Sequence, residues 1–215
     1  MKETMTVHKA LAELKILADR IQKEEGKIEF AVANKAASNK YNGAPVKEYI
    51  DNTVAAYKSL MTLINRRNAI KRAVTQSNAV QTVTIDGKSY TVAEAIDMKS
   101  VGLNPYRSLI SHIDSNLSLA RRKVNAENGD RLESRADDYV KSLYGSSEMK
   151  NMSDDVKKVR ENFVESQMLT ILDPIGCEKE LKRLQDYVDN FLAEVDSALS
   201  VSNALTTIEV EYETV

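Results

Sequence analysis

Two neighbouring segments decide the fold: LMTLINRRNAIKRAV, from Leu60 to Val74, and TVTIDGKSYTV, from Thr82 to Val92. The first places apolar residues at helical spacing, whereas the second alternates apolar and polar residues on both sides of Asp86-Gly87. Asp-Gly is the pair that a two-residue type I′ turn favours, because both central positions need a positive φ. The sequence therefore predicts a helix that leads, through a short polar link, into a β-hairpin.

The end of this predicted helix has an unusual charge distribution. No Asp or Glu occurs between Asn52 and Ile85, although the chain contains 32 acidic residues. Four of the five cations in that window lie within two helical turns, beside two asparagines. This basic cluster consists of Asn65, Arg66, Arg67, Asn68, Lys71 and Arg72.

The helix that carries the cluster is predicted to run from Pro45 to Val74, after a loop over Asn34 to Ala44. Its apolar side is formed by Val46, Ile50, Val54, Tyr57, Met61 and Ile64. The same spacing next reaches Asn68 and Lys71, so the apolar side turns polar where the cluster begins.

Helices also dominate the rest of the chain. Helix 1 is predicted over Met5 to Phe30, and its seam consists of Val7, Leu11, Leu14, Ala18 and Ile21. A capping box at Thr91-Val92-Ala93-Glu94 starts a short helix that ends before Gly102. Asn104-Pro105 starts a long helix, which either ends or kinks at Asn128-Gly129, and Tyr144-Gly145-Ser146-Ser147 breaks the chain.

The C-terminal part is predicted to contain two more helices and a strand. Ser153 caps the first helix, which ends at Asp173-Pro174. The last helix has a heptad pattern made by Leu181, Leu184, Val188, Phe191, Val195, Ala198 and Ser202. Residues 206–212 alternate as a strand, which we expect to dock beside the hairpin because an isolated hairpin is only marginally stable.

Composition indicates a helix-rich soluble protein. The chain has 215 residues, 42% of them hydrophobic and 29% charged, with a net charge of −2. We predict a mainly α fold: long antiparallel helices in one elongated domain, residues 1–215, with β structure at about 80–92 and 206–212. One cysteine, no signal-peptide pattern and no long apolar stretch favour a cytoplasmic location without membrane contact.

Catalytic chemistry has little support in the sequence. His8 and His112 lack Cys or carboxylate partners at metal-ligand spacing, and Cys177 is followed by Glu178 and Glu180, which raise a thiol pKa. No Gly-rich phosphate loop is present. We therefore expect a non-enzymatic protein without a cofactor or a metal.

The basic cluster is the candidate ligand site. Arg offers a planar set of donors and Asn offers both a donor and an acceptor, a combination that suits phosphate together with sugar or base edges. If the C-terminal strand docks beside the hairpin, Asn203 and Thr206 join the cluster. The alternative is internal pairing, because the segment from Asp173 onward has ten acids and three bases.

Three short motifs carry a family resemblance. They are Ile64-Asn65-Arg66-Arg67-Asn68, Thr91-Val92-Ala93-Glu94-Ala95-Ile96 and Ser202-Asn203-Ala204-Leu205-Thr206-Thr207. In these motifs and in the order of its elements, the chain resembles the small helical proteins called septicolysin, and especially a longer version encoded by bacteriophages. The resemblance covers the two ends and the centre and leaves out residues 125–173.

From the cluster and the resemblance together we expect a phage-encoded, homo-oligomeric binding protein for an anionic small ligand of the nucleotide type. In a phage, such a protein would sequester a nucleotide immune signal, and nucleic acid is not the expected partner. The alternative is a structural or assembly component of the phage particle with a coiled-coil scaffold.

Overall fold

The computed structural model of the chain describes residues 1–145 and 152–215. As predicted, the fold is mainly α. Its β structure consists of small two-stranded antiparallel sheets. Its contacts divide the chain into unit 1, Met1–Gly102 with Asn190–Val215, and unit 2, Leu103–Asp189. The sequence prediction of a single elongated domain made no such division.

Unit 1 is built from both ends of the described chain. Its elements in chain order are β1 (Lys2–Thr6), α1 (Val7–Glu25), β2 (Lys40–Tyr41), β3 (Ala44–Pro45), α2 (Val46–Val80), β4 (Thr82–Ile85), β5 (Lys88–Thr91), α3 (Val92–Asp97), a π-helical turn (Met98–Gly102), the end of α7 (Cys177–Leu205) and β6 (Thr207–Glu211). Unit 2 contains α4 (Asn104–Asn128), α5 (Asp130–Tyr144), α6 (Asp154–Gln167) and the start of α7.

The sheet formed by β1 and β6 is the main topological difference from the prediction. The two strands are antiparallel, with Met5 opposite Ile208 and Glu3 opposite Val210. The C-terminal strand was expected to dock beside the hairpin and make a three-stranded element. This expectation was wrong, because β6 pairs with β1 and the hairpin remains a separate two-stranded sheet. The sequence KETMT has a single large apolar residue, and its last two residues, Met5 and Thr6, were predicted to begin helix 1.

The hairpin of β4 and β5 is confirmed. Its turn residues Asp86 and Gly87 have φ values of 47° and 69°, and the Asp86 N–H donates to Glu194 Oε2 at 2.7 Å. Asn42-Gly43 makes a second turn with positive φ between β2 and β3. The predicted loop over residues 34–44 therefore contains a small hairpin, because Asn-Gly also suits a two-residue turn.

The sheet of β1 and β6 is called the terminal sheet below. The core of unit 1 lies between α1, α2 and this terminal sheet. Its buried residues are Met5, Val7, Ala10, Leu17, Ile70, Val74, Ile208 and Val210. Helix α1 is shorter than predicted, because the chain pairs as β1 up to Thr6 and the helix ends at Glu25. The predicted seam was partly wrong, since Leu11 and Ala18 are exposed while Ala10 and Leu17 are buried.

Helix α2 is longer than predicted and has an unexpected exposed side. It continues to Val80, six residues past the predicted end at Val74, so the supposed polar link is helical. Its buried residues are Leu60, Ile70 and Val74. The predicted apolar side was only partly right, because three of its members remain half exposed: Ile50, Val54 and Tyr57.

The helix boundaries around unit 2 follow local signals. The chain breaks between α4 and α5 at Gly129, and Ser153 caps α6 by accepting from the Val156 N–H at 3.4 Å. Helix α6 ends at Gln167, before the predicted Asp173. The Ser146-Ser147 part of the predicted break lies outside the described residues. No helix in the described ranges is long and apolar enough to cross a membrane.

Candidate functional site

The basic cluster lies on α2 where this helix runs beside β6 of the terminal sheet. The structure leaves Arg67 and Lys71 exposed outside the groove and divides the other four residues of the cluster into two parts that the sequence did not distinguish. One part, Arg66, is already bound by the protein itself. The other part contains Asn65, Asn68 and Arg72, which border an open groove.

Arg66 is the centre of an internal charge network. Its Nη2 atom lies 2.7 Å from Glu13 Oε1 and 3.1 Å from Glu3 Oε2, and its guanidinium carbon lies 5.6 Å from the centre of the Tyr212 ring. Glu3 comes from β1, Glu13 from α1 and Tyr212 follows β6. Arg66 therefore connects α2 to the terminal sheet and to α1.

Internal pairing, the alternative considered for the cluster, thus holds for Arg66. The acids that pair with it are N-terminal, whereas the sequence suggested the acidic C-terminal segment. Within the described chain, Glu3 Oε1 and Arg66 Nε are buried atoms without a hydrogen-bond partner. Because two carboxylates share one guanidinium, this arrangement is costly to build and is sensitive to loss of the cation.

The open groove has a volume of about 750 Å³. It lies between α2 and the end of β6, together with the residues that follow this strand. Its lining residues are Met1, Asn65, Asn68, Ala69, Arg72, Glu211, Tyr212, Glu213 and Thr214. Polar groups dominate this lining, so the groove suits a polar ligand that makes several hydrogen bonds.

The remaining cations of the cluster are exposed. Arg67, Lys71 and Arg72 form no ion pair with any carboxylate in the described ranges, and Arg67 donates to Asn68 Oδ1 at 3.4 Å. Of these three, only Arg72 lines the groove. Asn65 is partly used, because its side-chain amide donates to the Glu213 carbonyl at 3.4 Å.

Asn203 and Thr206 do not line this groove. The Thr206 carbonyl accepts from the Val7 N–H at 2.9 Å, and Thr206 borders a different groove beside β4. Asn203 lines neither groove. Their predicted place in the site followed from docking β6 beside the hairpin, and the pairing of β6 with β1 removes the reason for it.

Six residues of the groove lining were not predicted from the sequence: Met1, Ala69, Glu211, Tyr212, Glu213 and Thr214. The alternation of Ile208, Val210 and Tyr212 indicated a strand in this part of the chain. The strand was expected beside the hairpin, so its residues were not placed next to α2. The two glutamates add carboxylates to a groove that was expected to be purely cationic. Such a mixture fits a ligand that carries an anionic group for Arg72 and hydroxyl or amine donors for the carboxylates.

Cys177, the thiol considered as a nucleophile, lies at the start of α7 beside Asp173. Asp173 accepts from the Cys177 N–H at the start of α7 and raises the pKa of the Cys177 thiol by hydrogen bonding, while burial raises it further. A raised pKa reduces the thiolate fraction on which nucleophilicity depends. In the described ranges, no group of three His, Cys, Asp or Glu residues is arranged to hold a metal ion.

Comparison with known proteins adds no name to this site. No protein-family model matches the chain, and no significant match was found among curated proteins or solved structures.

Proposed function

We propose that the protein is a non-enzymatic binding protein that holds a small nucleotide-type ligand in the groove between α2 and the residues around Tyr212. The observation that carries the proposal is the contrast between two arginines that lie six positions apart on one helix. Arg66 has its own carboxylate partners, whereas Arg72 borders an open groove without one in the described chain. A cation left unpaired beside an open groove is available to an external anion.

Each groove residue then has a chemical role. Arg72 donates charge-assisted hydrogen bonds to a phosphate group. The Asn65 and Asn68 amides donate to and accept from sugar or base edges. Glu211 and Glu213 accept from ligand hydroxyl or amino groups, and they disfavour a bare polyphosphate because like charges repel.

The proposed biological use comes from the resemblance to phage-encoded proteins. We propose that the protein sequesters a nucleotide immune signal in the host cytoplasm, a use that requires binding without turnover.

Calorimetric titration with a panel of linear and cyclic nucleotides tests this proposal. We expect at least one nucleotide to bind, and Arg72→Ala to weaken its binding by about tenfold or more, since loss of a charge-assisted hydrogen bond costs roughly 1.5–3 kcal/mol. Lys71→Ala is the matched control, because it removes the same charge from the next position of α2 without touching the groove. We expect its effect to stay within about threefold.

Two results would contradict the proposal. One is the absence of binding by every nucleotide in the panel. The other is equal weakening by Arg72→Ala and Lys71→Ala, which would indicate a general effect of charge and not a site.

A scaffold or assembly role in a phage particle is the second candidate. The half-exposed apolar residues Ile50, Val54 and Tyr57 favour it, because they occupy coiled-coil spacing on a long helix. Co-purification of the protein with particles, combined with no nucleotide binding, would support this role over the first.

A further inference from the structure

Helix α2 carries two parallel rows of residues at the alternating spacing of three and four. The inner row is buried or half-buried and consists of Tyr49, Thr53, Ala56, Leu60 and Leu63. The outer row is one position further along and consists of Ile50, Val54, Tyr57, Met61 and Ile64. Adjacent positions differ by about 100° around a helix, so the two rows face in different directions.

The described chain covers only about half of each side chain in the first part of the outer row. Ile50, Val54 and Tyr57 are 50%, 48% and 49% exposed. Phe30 widens this surface, since its half-exposed ring lies edge-on to Tyr57 with 6.4 Å between the ring centres. A contiguous apolar surface of this kind is typical of an interaction site.

The spacing of the outer row indicates what covers it. Alternating steps of four and three residues are the repeat of a two-stranded coiled coil, in which each apolar side chain packs between four residues of the facing helix. The row from Ile50 to Ile64 is roughly 21 Å long at about 1.5 Å per residue. A second α2 helix offers the same spacing and the same length.

The charges beside the row select the direction of pairing. Asp51 and Lys58 are exposed on the flank away from the inner row, and neither forms an ion pair with a described residue. In an antiparallel pair centred between Val54 and Tyr57, Asp51 of one copy lies beside Lys58 of the other, and symmetry repeats the contact. In a parallel pair, Asp51 and Lys58 would face Val46 and Thr53, which carry no charge.

We propose that the outer row of α2 is the interface of a two-fold symmetric homodimer, in which two α2 helices pack antiparallel. Val54 of each copy packs against Tyr57 of the other at the centre, and Ile50 packs against Met61 on either side. Two ion pairs between Asp51 and Lys58 border the apolar contact. This proposal does not depend on a ligand in the groove.

Sedimentation equilibrium of the full-length chain tests the proposed surface. We expect the unaltered chain to be dimeric at micromolar concentration and Val54→Lys to be monomeric, because it places a charge at the centre of the apolar contact. Ser59→Lys is the matched control, since it adds the same charge on the exposed opposite side of α2 and should leave the dimer intact. Circular dichroism confirms that both variants stay folded.

Charge reversal tests the antiparallel direction. Asp51→Lys alone and Lys58→Asp alone each turn two attractive contacts into two repulsive ones and should raise the dimer dissociation constant about tenfold, from the size of exposed ion pairs. The double variant restores opposite charges and should return the constant to within about threefold of the unaltered value. A monomeric unaltered chain, a dimer that survives Val54→Lys, or a double variant without rescue would overturn the proposal.

Discussion

The guanidinium of Arg66 serves two carboxylates and one aromatic ring, and the three partners come from different parts of unit 1. The side chains of Glu3 and Glu13 are only 30% and 20% exposed, so they rely on this cation more than surface glutamates do. Removing one partner of a buried pair costs about 3–5 kcal/mol. The remaining exposure reduces this cost, because water can still solvate the carboxylates.

We therefore predict that Arg66→Ala lowers the free energy of unfolding by about 2 kcal/mol, within the cost of leaving charged hydrogen-bonding groups unsatisfied. Urea unfolding monitored by circular dichroism measures the change. Arg67→Ala removes an exposed arginine from the neighbouring position and should change stability by less than about 0.5 kcal/mol. Equal effects of the two variants would show that the Arg66 network contributes nothing beyond general charge.

Cys177 offers a second test at a single residue. Its thiol pKa is raised first by the hydrogen bond to Asp173 and then by burial, and the same contact lowers the pKa of Asp173. The contribution of Cys177 to stability is therefore present at neutral pH and is lost as pH rises through the raised thiol pKa. The contribution of Asp173 is lost as pH falls through the lowered carboxyl pKa.

We predict that Asp173→Asn increases the rate at which Cys177 reacts with a disulfide reagent at pH 8, because the thiol pKa falls and the thiolate fraction rises. An increase of about threefold or more is expected, because a lower thiol pKa leaves more of the nucleophilic thiolate at this pH. Glu178→Gln is the control, since it removes the carboxylate next to Cys177 but keeps Asp173. A faster reaction in Glu178→Gln alone would assign the raised pKa to Glu178, as the sequence pattern suggested.

At the scale of single elements, the hairpin turn shows how local chemistry determines structure. Gly87 has a φ of 69°, and a β-carbon placed there would meet no atom within 4 Å. The space is open, so a substitution at this position is opposed only by the backbone conformation. Gly26 offers a contrast, because its φ of −66° is ordinary for any residue and a β-carbon there makes only normal contacts.

We predict that Gly87→Ala lowers the free energy of unfolding by about 1–2 kcal/mol, the cost of a left-handed conformation for a residue with a β-carbon. Gly26→Ala should be neutral or slightly stabilising, because alanine has less backbone freedom to lose on folding. Thermal unfolding of both variants measures the difference. If the two substitutions had the same effect, the turn would not depend on the positive φ.

Elements with a local sequence signal were predictable. The Asp86-Gly87 turn identified β4 and β5, and the capping box at Thr91 and Glu94 identified the start of α3, where both reciprocal hydrogen bonds are present. Such signals work because the residues that determine the structure are within a few positions of one another. The C-terminal end of α2 was less predictable, because the helix continues past Val74 through Thr75, Ser77 and Asn78, which have low helix propensity.

At the scale of the whole molecule, the sequence did not reveal which strand pairs with β6. Strand β6 was recognised, but nothing in its own residues states that it pairs with β1, more than 200 residues earlier. That one error also changed the predicted site, because it brought in Asn203 and Thr206 and left out Tyr212. The α2 part of the site was predictable, since Asn65, Asn68 and Arg72 share one helix, but the pairing of Arg66 with Glu3 and Glu13 was not.

The pairing of β1 with β6 has a consequence for how the protein is made on the ribosome. Strand β1 is synthesised about 200 residues before β6, so the nascent chain must wait for translation of residues 207–211 before the terminal sheet can close. At about 5–20 residues per second, that delay is on the order of ten to forty seconds. During this interval, the apolar side chains of Met5 and Val7 are not covered by Ile208 and Val210. Exposed apolar segments of this kind are what chaperones bind, so we expect the growing chain to be a chaperone substrate.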